Sequence, residues 1–123
     1  MIKLIDGRGT GKTYKLCQYA IENNCDILVK SESSIDHVLC LLRDIAEELG
    51  CAIIDIRKCS NRAVFIYNDK AHDDYVIYIM TPSSITRSRP SERKLVVDEA
   101  ERVLAYMLAP YGYSYDGYTI SKE

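Results

Sequence analysis

Residues 2–21 limit the fold more than any other stretch of the chain. An apolar run at residues 2–5 passes directly into a loop, Gly7-Arg8-Gly9-Thr10-Gly11, with glycine at every second position. Leu16, Cys17, Ala20 and Ile21 then recur at helical spacing, and Asn23-Asn24 closes that segment. The order is a short buried strand, a glycine turn and a helix.

The rest of the chain continues the alternation. Residues 26–30 (DILVK) read as a second strand. Ser33 or Ser34 is suited to cap a helix whose apolar residues are Ile35, Val38, Leu39, Leu42, Ile45, Ala46 and Leu49, with Gly50 as its stop. Residues 51–56 form another strand. Residues 63–67 and 75–80 are β-branched and aromatic runs joined by the polar stretch 68–74, which predicts a hairpin. Thr81-Pro82-Ser83-Ser84 breaks the chain, residues 85–94 are polar and basic, and Leu95–Val97 is a short buried strand. Ala100, Val103, Leu104, Met107 and Leu108 share one helix face before Pro110. In the tail, residues 111–123, positions 118–120 could form a last strand. Strands alternating with helices predict one α/β domain, residues 1–123, around a mainly parallel sheet with a β-hairpin excursion.

Composition sets the remaining bounds. The 123 residues are 47% hydrophobic and 28% charged, which describes one globular domain. A net charge of -2 gives no overall bias toward nucleic acid or membrane. No apolar run approaches the roughly 18 residues of a membrane span, and no signal-peptide pattern opens the chain. Five cysteines, Cys17, Cys25, Cys40, Cys51 and Cys59, include no C-x-x-C pair, so neither a disulfide framework nor a metal cluster is expected. A reducing cytoplasm is the expected compartment.

The glycine loop carries the first chemistry. Backbone N–H groups that converge at a helix N-terminus bind phosphate, and small residues let the main chain approach it. Gly7, Arg8, Gly9, Thr10 and Gly11 would form the cradle, Lys12 would reach the outer phosphates, and the Thr13 hydroxyl would ligate Mg²⁺. The strict G-x-x-x-x-G-K-[ST] pattern fails at Asp6, where a glycine is usual, but the core G-x-G-K-T is intact. Asp6 is expected to turn from the phosphates toward Arg8, the sheet edge or solvent.

A second half of a site lies downstream, at Lys94-Leu95-Val96-Val97-Asp98-Glu99-Ala100-Glu101. This is an apolar strand ending in two acids. Asp98 in that place can hold Mg²⁺, and Glu99 can orient an attacking water. Acids that open a helix also favour its dipole, so the segment gains its meaning from the glycine loop upstream.

Together "GRGTGKT" and "VVDEAE" resemble the Walker A and Walker B motifs of the phosphate-loop NTPases that carry an added catalytic glutamate, the RecA-like, AAA and helicase division. They look most like the first two helicase motifs. Residues 75–85 (YVIYIMTPSSI) are similar to a strand-Thr-Pro segment that contacts nucleic acid in many such helicases, although a strand-end turn explains Thr81-Pro82 as well. The resemblance implies a three-layer RecA-like fold. It also implies a further strand between the two motif strands, a place that residues 118–120 would fill, with Thr119 or Ser121 as a polar sensor. Nothing after Glu99 looks like a third helicase motif, so a helicase motor is not expected of this chain alone. Compact domains of this type are a phage-like or mobile-element feature.

Arg87, Arg89, Arg93 and Lys94 crowd the stretch before the second motif. They read as a solvated loop, or as a source of a phosphate-contacting arginine or a nucleic-acid contact. The tyrosine-rich tail could stack on a base, form an interface or simply pack as a chain end. His37 and His72 have no partner in the sequence that suggests catalysis. The expected function is Mg-dependent binding and hydrolysis of a nucleotide, ATP above others. Glu99 and Lys12 would be catalytic, Thr13 and Asp98 would hold the metal, and a homo-oligomer or protein partner would supply an arginine. The alternatives are a non-hydrolysing nucleotide-binding adaptor or inhibitor, and a small-molecule kinase.

Overall fold

The computed structural model describes residues 2–4, 12–71, 73–85, 93–99, 103 and 107. Its elements run β1 (Ile2–Leu4), α1 (Lys12–Asn23), β2 (Asp26–Leu28), α2 (Glu32–Glu48), β3 (Ala52–Lys58), β4 (Arg62–Asn68), β5 (Asp74–Met80), α3 (Pro82–Ile85) and β6 (Leu95–Val97). The strands form one sheet in the order β1-β6-β2-β5-β4-β3.

The sheet has two different halves. β1, β6, β2 and β5 are parallel neighbours. β5, β4 and β3 are antiparallel, and theirs are the longest ladders in the sheet. The fold is therefore mixed α/β, and the expectation of a mainly parallel sheet is corrected. The polar stretch at 68–74 does make the expected hairpin, where Asn68 pairs with Asp74. That hairpin is no excursion, however, because it extends the sheet itself. The reason is its two-residue alternation, which gives β4 a buried face of Ala63, Phe65 and Tyr67 that belongs to the main core.

That core shows why the helices pack where they do. Leu16, Cys17, Ala20 and Ile21 of α1 join Ile35, Val38, Leu39, Leu42, Ile45 and Ala46 of α2 over Ile27, Val29, Phe65, Ile77, Ile79 and Val96. The intervening strand residues, Leu28, Met80 and Val97, point to the other face, where Val103 packs on them. Val103 and Met107 are helical, as their spacing predicts.

Three boundaries differ in detail. The cap of α2 is Ser31 rather than Ser33 or Ser34, since Ser31 is still extended (φ -155°, ψ 167°) and its carbonyl accepts the first turn bond from Ser34. Strand β2 stops at Leu28, two residues short of the expected end. At the other end of α2, Gly50 takes φ 76° directly after the cap Leu49, the left-handed position that terminates helices.

β1 and β6 pair directly, Ile2 with Leu95 and Leu4 with Val97. No strand lies between them, which corrects the place assigned to residues 118–120. Those residues, and Thr119 and Ser121 with them, lie outside the described residues.

Candidate functional site

Parallel pairing decides which residues can meet. β1, β6 and β2 finish at the same end of the sheet, because Leu4, Val97 and Leu28 are in register. Chain leaving β1 enters the glycine loop, chain leaving β6 enters Asp98-Glu99, and chain leaving β2 enters Val29-Lys30. In open parallel sheets this carboxyl end is where ligands bind.

Thr13 lies in the first turn of α1 at this end, and its Oγ1 donates a hydrogen bond to Asp98 Oδ1 at 3.3 Å, across 85 residues of sequence. A hydroxyl and a carboxylate from the two motif segments thus share one spot. The Asp98 backbone N–H donates to the Leu28 carbonyl at 2.9 Å, which anchors the turn to β2. Burial pushes the Asp98 carboxyl above its ordinary value, and the neighbouring Glu99 carboxylate adds to the shift. The Thr13 hydrogen bond, His37 and Lys30 act in the opposite direction. His37, exposed on α2, therefore faces the site electrostatically, although its position in the sequence gives no sign of this.

Glu99 follows in the left-handed region at φ 51°, which is uncommon for a residue with a long side chain. Its Oε2 lies 2.8 Å from Lys30 Nζ. Its carbonyl accepts from the Val103 N–H at 3.1 Å, so the acidic turn is continuous with the helical segment that follows. Lys30 is a residue the sequence reading missed as functional. Its sign lies in the fold and not in the sequence: the parallel β2–β6 register, carried two residues past both strands, brings Lys30 level with Glu99.

Cys17 lies one turn beyond Thr13, wholly buried, and its thiol is pushed up to about 12 by burial and then by Asp98. It is a core residue with no thiolate chemistry at neutral pH. Lys12 is the first residue of α1. Asp6, Gly7, Arg8, Gly9, Thr10 and Gly11 lie outside the described residues.

Two other candidates belong elsewhere. Thr81 is only 5% exposed, and its hydroxyl donates to the Asn61 carbonyl at 3.1 Å while also meeting Ser83 Oγ at 3.1 Å. This is a strand-end turn, and Thr81 is committed to it. Arg93 is corrected from a solvated loop position to a half-buried ion pair. Its guanidinium grips Asp26, with Nε 3.0 and 2.9 Å from the two carboxylate oxygens and a second nitrogen 2.9 Å from Oδ1. It also donates to the Val76 carbonyl and lies 5.5 Å from the centre of the Tyr78 ring. Asp26 opens β2 and Arg93 precedes β6, so this pair occupies the opposite end of the sheet from Asp98. Arg93 therefore cannot serve the Thr13–Asp98 site from within the chain. Arg87 and Arg89 lie outside the described residues.

Among the described residues, no helix is long and apolar enough to cross a membrane. No protein-family model, no curated protein and no solved structure matches this chain.

Proposed function

We propose that the chain is a small phosphate-loop NTPase that binds and hydrolyses a Mg-nucleotide, ATP above others, on a three-layer fold of that class. The observation that carries the reading is the Thr13–Asp98 hydrogen bond. A hydroxyl from the first motif segment and a carboxylate from the second, which is weak alone, meet at the carboxyl end of parallel strands.

The donor set fits Mg²⁺. One hydroxyl and one carboxylate leave most of an octahedral shell to water and phosphate, which is how this ion is usually held in such sites. A carboxyl raised by burial and by a neighbouring acid gains from a nearby cation. Bound there, the ion would neutralise charge on the phosphates and polarise the bond to be broken. Thr13 and Asp98 would hold it. Lys12, at the start of α1, would reach the outer phosphates, and the Gly7–Gly9–Gly11 loop would contribute backbone N–H groups, with Arg8 and Thr10 between them. Glu99 would accept a proton from, and orient, the attacking water.

The direct β1–β6 pairing departs from the helicase-like arrangement with an inserted strand. The proposal therefore rests on the phosphate-loop chemistry and not on membership of that division. An arginine completing the site would be one other than Arg93, from this chain, a second copy or another protein, and nucleic acid is a partner only by resemblance.

The test is calorimetric titration of the Mg complex of a non-hydrolysable ATP analogue, together with phosphate release from Mg-ATP. Wild type binds and turns over, and Lys12→Ala weakens binding by at least about tenfold, the order expected for losing charge-assisted phosphate contacts. Equal affinity in the two proteins rejects the site. Binding without phosphate release would favour the non-hydrolysing adaptor, and nucleotide consumption only when an acceptor is present would favour the kinase.

A further inference from the structure

Lys30 has no part in the phosphate-loop motifs, yet it meets the residue on which hydrolysis would turn. Three features of the acidic turn bear on this. Glu99 adjoins Asp98, so two carboxylates compete for the same end of the sheet. The Glu99 backbone is left-handed, an uncommon state for a residue with a long side chain. Lys30, two residues beyond β2, closes on Glu99 at 2.8 Å, with both side chains about a third exposed (31% and 39%). A long, flexible glutamate in such a turn has several rotamers open to it, and repulsion from Asp98 favours those that reach into water. The ammonium group selects the one that stays beside the site.

We infer that Lys30 is a positioning residue for Glu99: from the end of β2 it fixes the carboxylate that orients the attacking water. This rests on the reading of the chain as a hydrolase. Lys30 itself touches neither metal nor phosphate in this role, and its effect passes entirely through Glu99. Water-orienting carboxylates act through geometry, and small displacements lower turnover without altering the grip on substrate.

The experiment compares Mg-ATP turnover by wild type, Lys30→Met, Lys30→Gln and Lys30→Arg, each with Glu99 intact and with Glu99→Gln. Thermal unfolding confirms that each variant is folded. The Met and Gln variants should lose about tenfold in kcat with KM changed by less than about twofold, and Arg should recover most of the loss. In the Glu99→Gln background, removing the Lys30 charge should change nothing further. Unchanged kcat in Lys30→Met and Lys30→Gln overturns the inference. So does a shift carried by KM, or a loss of the same size when Glu99 is already Gln. Absence of turnover in wild type overturns the hydrolase reading and this inference with it, whereas normal wild-type turnover with insensitive Lys30 variants overturns this inference alone.

Discussion

Where β2 and β6 begin, Asp26 is buried and held by the Arg93 guanidinium, with the Tyr78 N–H donating to Oδ1 at 3.1 Å as well. Where the same two strands finish, Asp98 is only partly buried; its side chain accepts from the neutral Thr13 hydroxyl, and its sequence neighbour is another acid. Asp26 has a full counter-charge in contact with it; Asp98 touches a neutral hydroxyl, and the Lys30 ammonium that offsets its charge is paired with Glu99. Burial alone does not separate a structural acid from a functional one. The company it keeps does, because a buried ion without compensation is costly unless something binds to it.

The sharpest way to break this comparison is to neutralise each acid in turn. Asp98→Asn keeps the shape and a hydrogen-bond partner for Thr13 but removes the charge proposed to hold the metal. Mg-dependent turnover should fall by at least about a hundredfold with the protein still folded. Asp26→Asn should do the reverse. It leaves Arg93 beside a neutral amide and should lower stability in denaturant titration by about 2–3 kcal/mol. That is less than a fully buried pair would lose, because the Arg93 side chain keeps 33% of its surface in water. The comparison fails if Asp98→Asn unfolds the protein or if Asp26→Asn removes activity from a protein of unchanged stability.

pH sharpens the same contrast. The Asp98 carboxyl is raised in the folded state above its ordinary value of 3.8, so the folded chain binds this proton more tightly than the unfolded chain. Through this group, stability falls as pH rises from the unfolded value through the folded one, and above both the cost is fully present. Asp98→Asn should therefore melt at a higher temperature than wild type at pH 7. The gap should close as pH falls below the carboxylate range, where Asp98 is neutral in both states. Mg²⁺ should raise the melting temperature of wild type at pH 7 and leave Asp98→Asn unmoved. A wild type that melts above Asp98→Asn at pH 7 without Mg²⁺ would contradict the assigned imbalance of charge.

How legible each end was in the sequence follows from the same difference. Thr13 and Asp98 stand where a helix begins and where a strand ends, so residue type and order were enough to pair them. Asp26 and Arg93 carry no such pattern. An acid at the start of DILVK reads as polar punctuation, and Arg93 was one of four basic residues in a short stretch. Only the parallel β2–β6 pairing makes them neighbours, and strand order is a non-local property. The hairpin at 62–80 was visible from local alternation, but its fusion to the parallel half was not. Lys30 fell between these cases: the strand was recognised, and the register that aims the lysine at Glu99 was not.

Backbone strain separates the two ends in a last and smaller way. Asn24, just before β2, and Glu99, just after β6, both have φ 51°. Asn tolerates the left-handed region better than most residues, and here Nδ2 also makes a tertiary bond, donating to the Val76 carbonyl at 3.0 Å. Glu has no such advantage, so the strain at 99 is held in place by its surroundings, as is common at functional sites. Glycine at each position should then act with opposite sign. Asn24→Gly loses a hydrogen bond and should destabilise by about 1 kcal/mol. Glu99→Gly relieves the left-handed cost and the repulsion from Asp98 while forfeiting a partly exposed ion pair worth at most about 1 kcal/mol, so it should stabilise by about 0.5 kcal/mol while turnover collapses. Denaturant titration of the two variants decides it. If both lose stability equally, Glu99 is an ordinary turn residue, and the difference between the two ends of the sheet reduces to their charges.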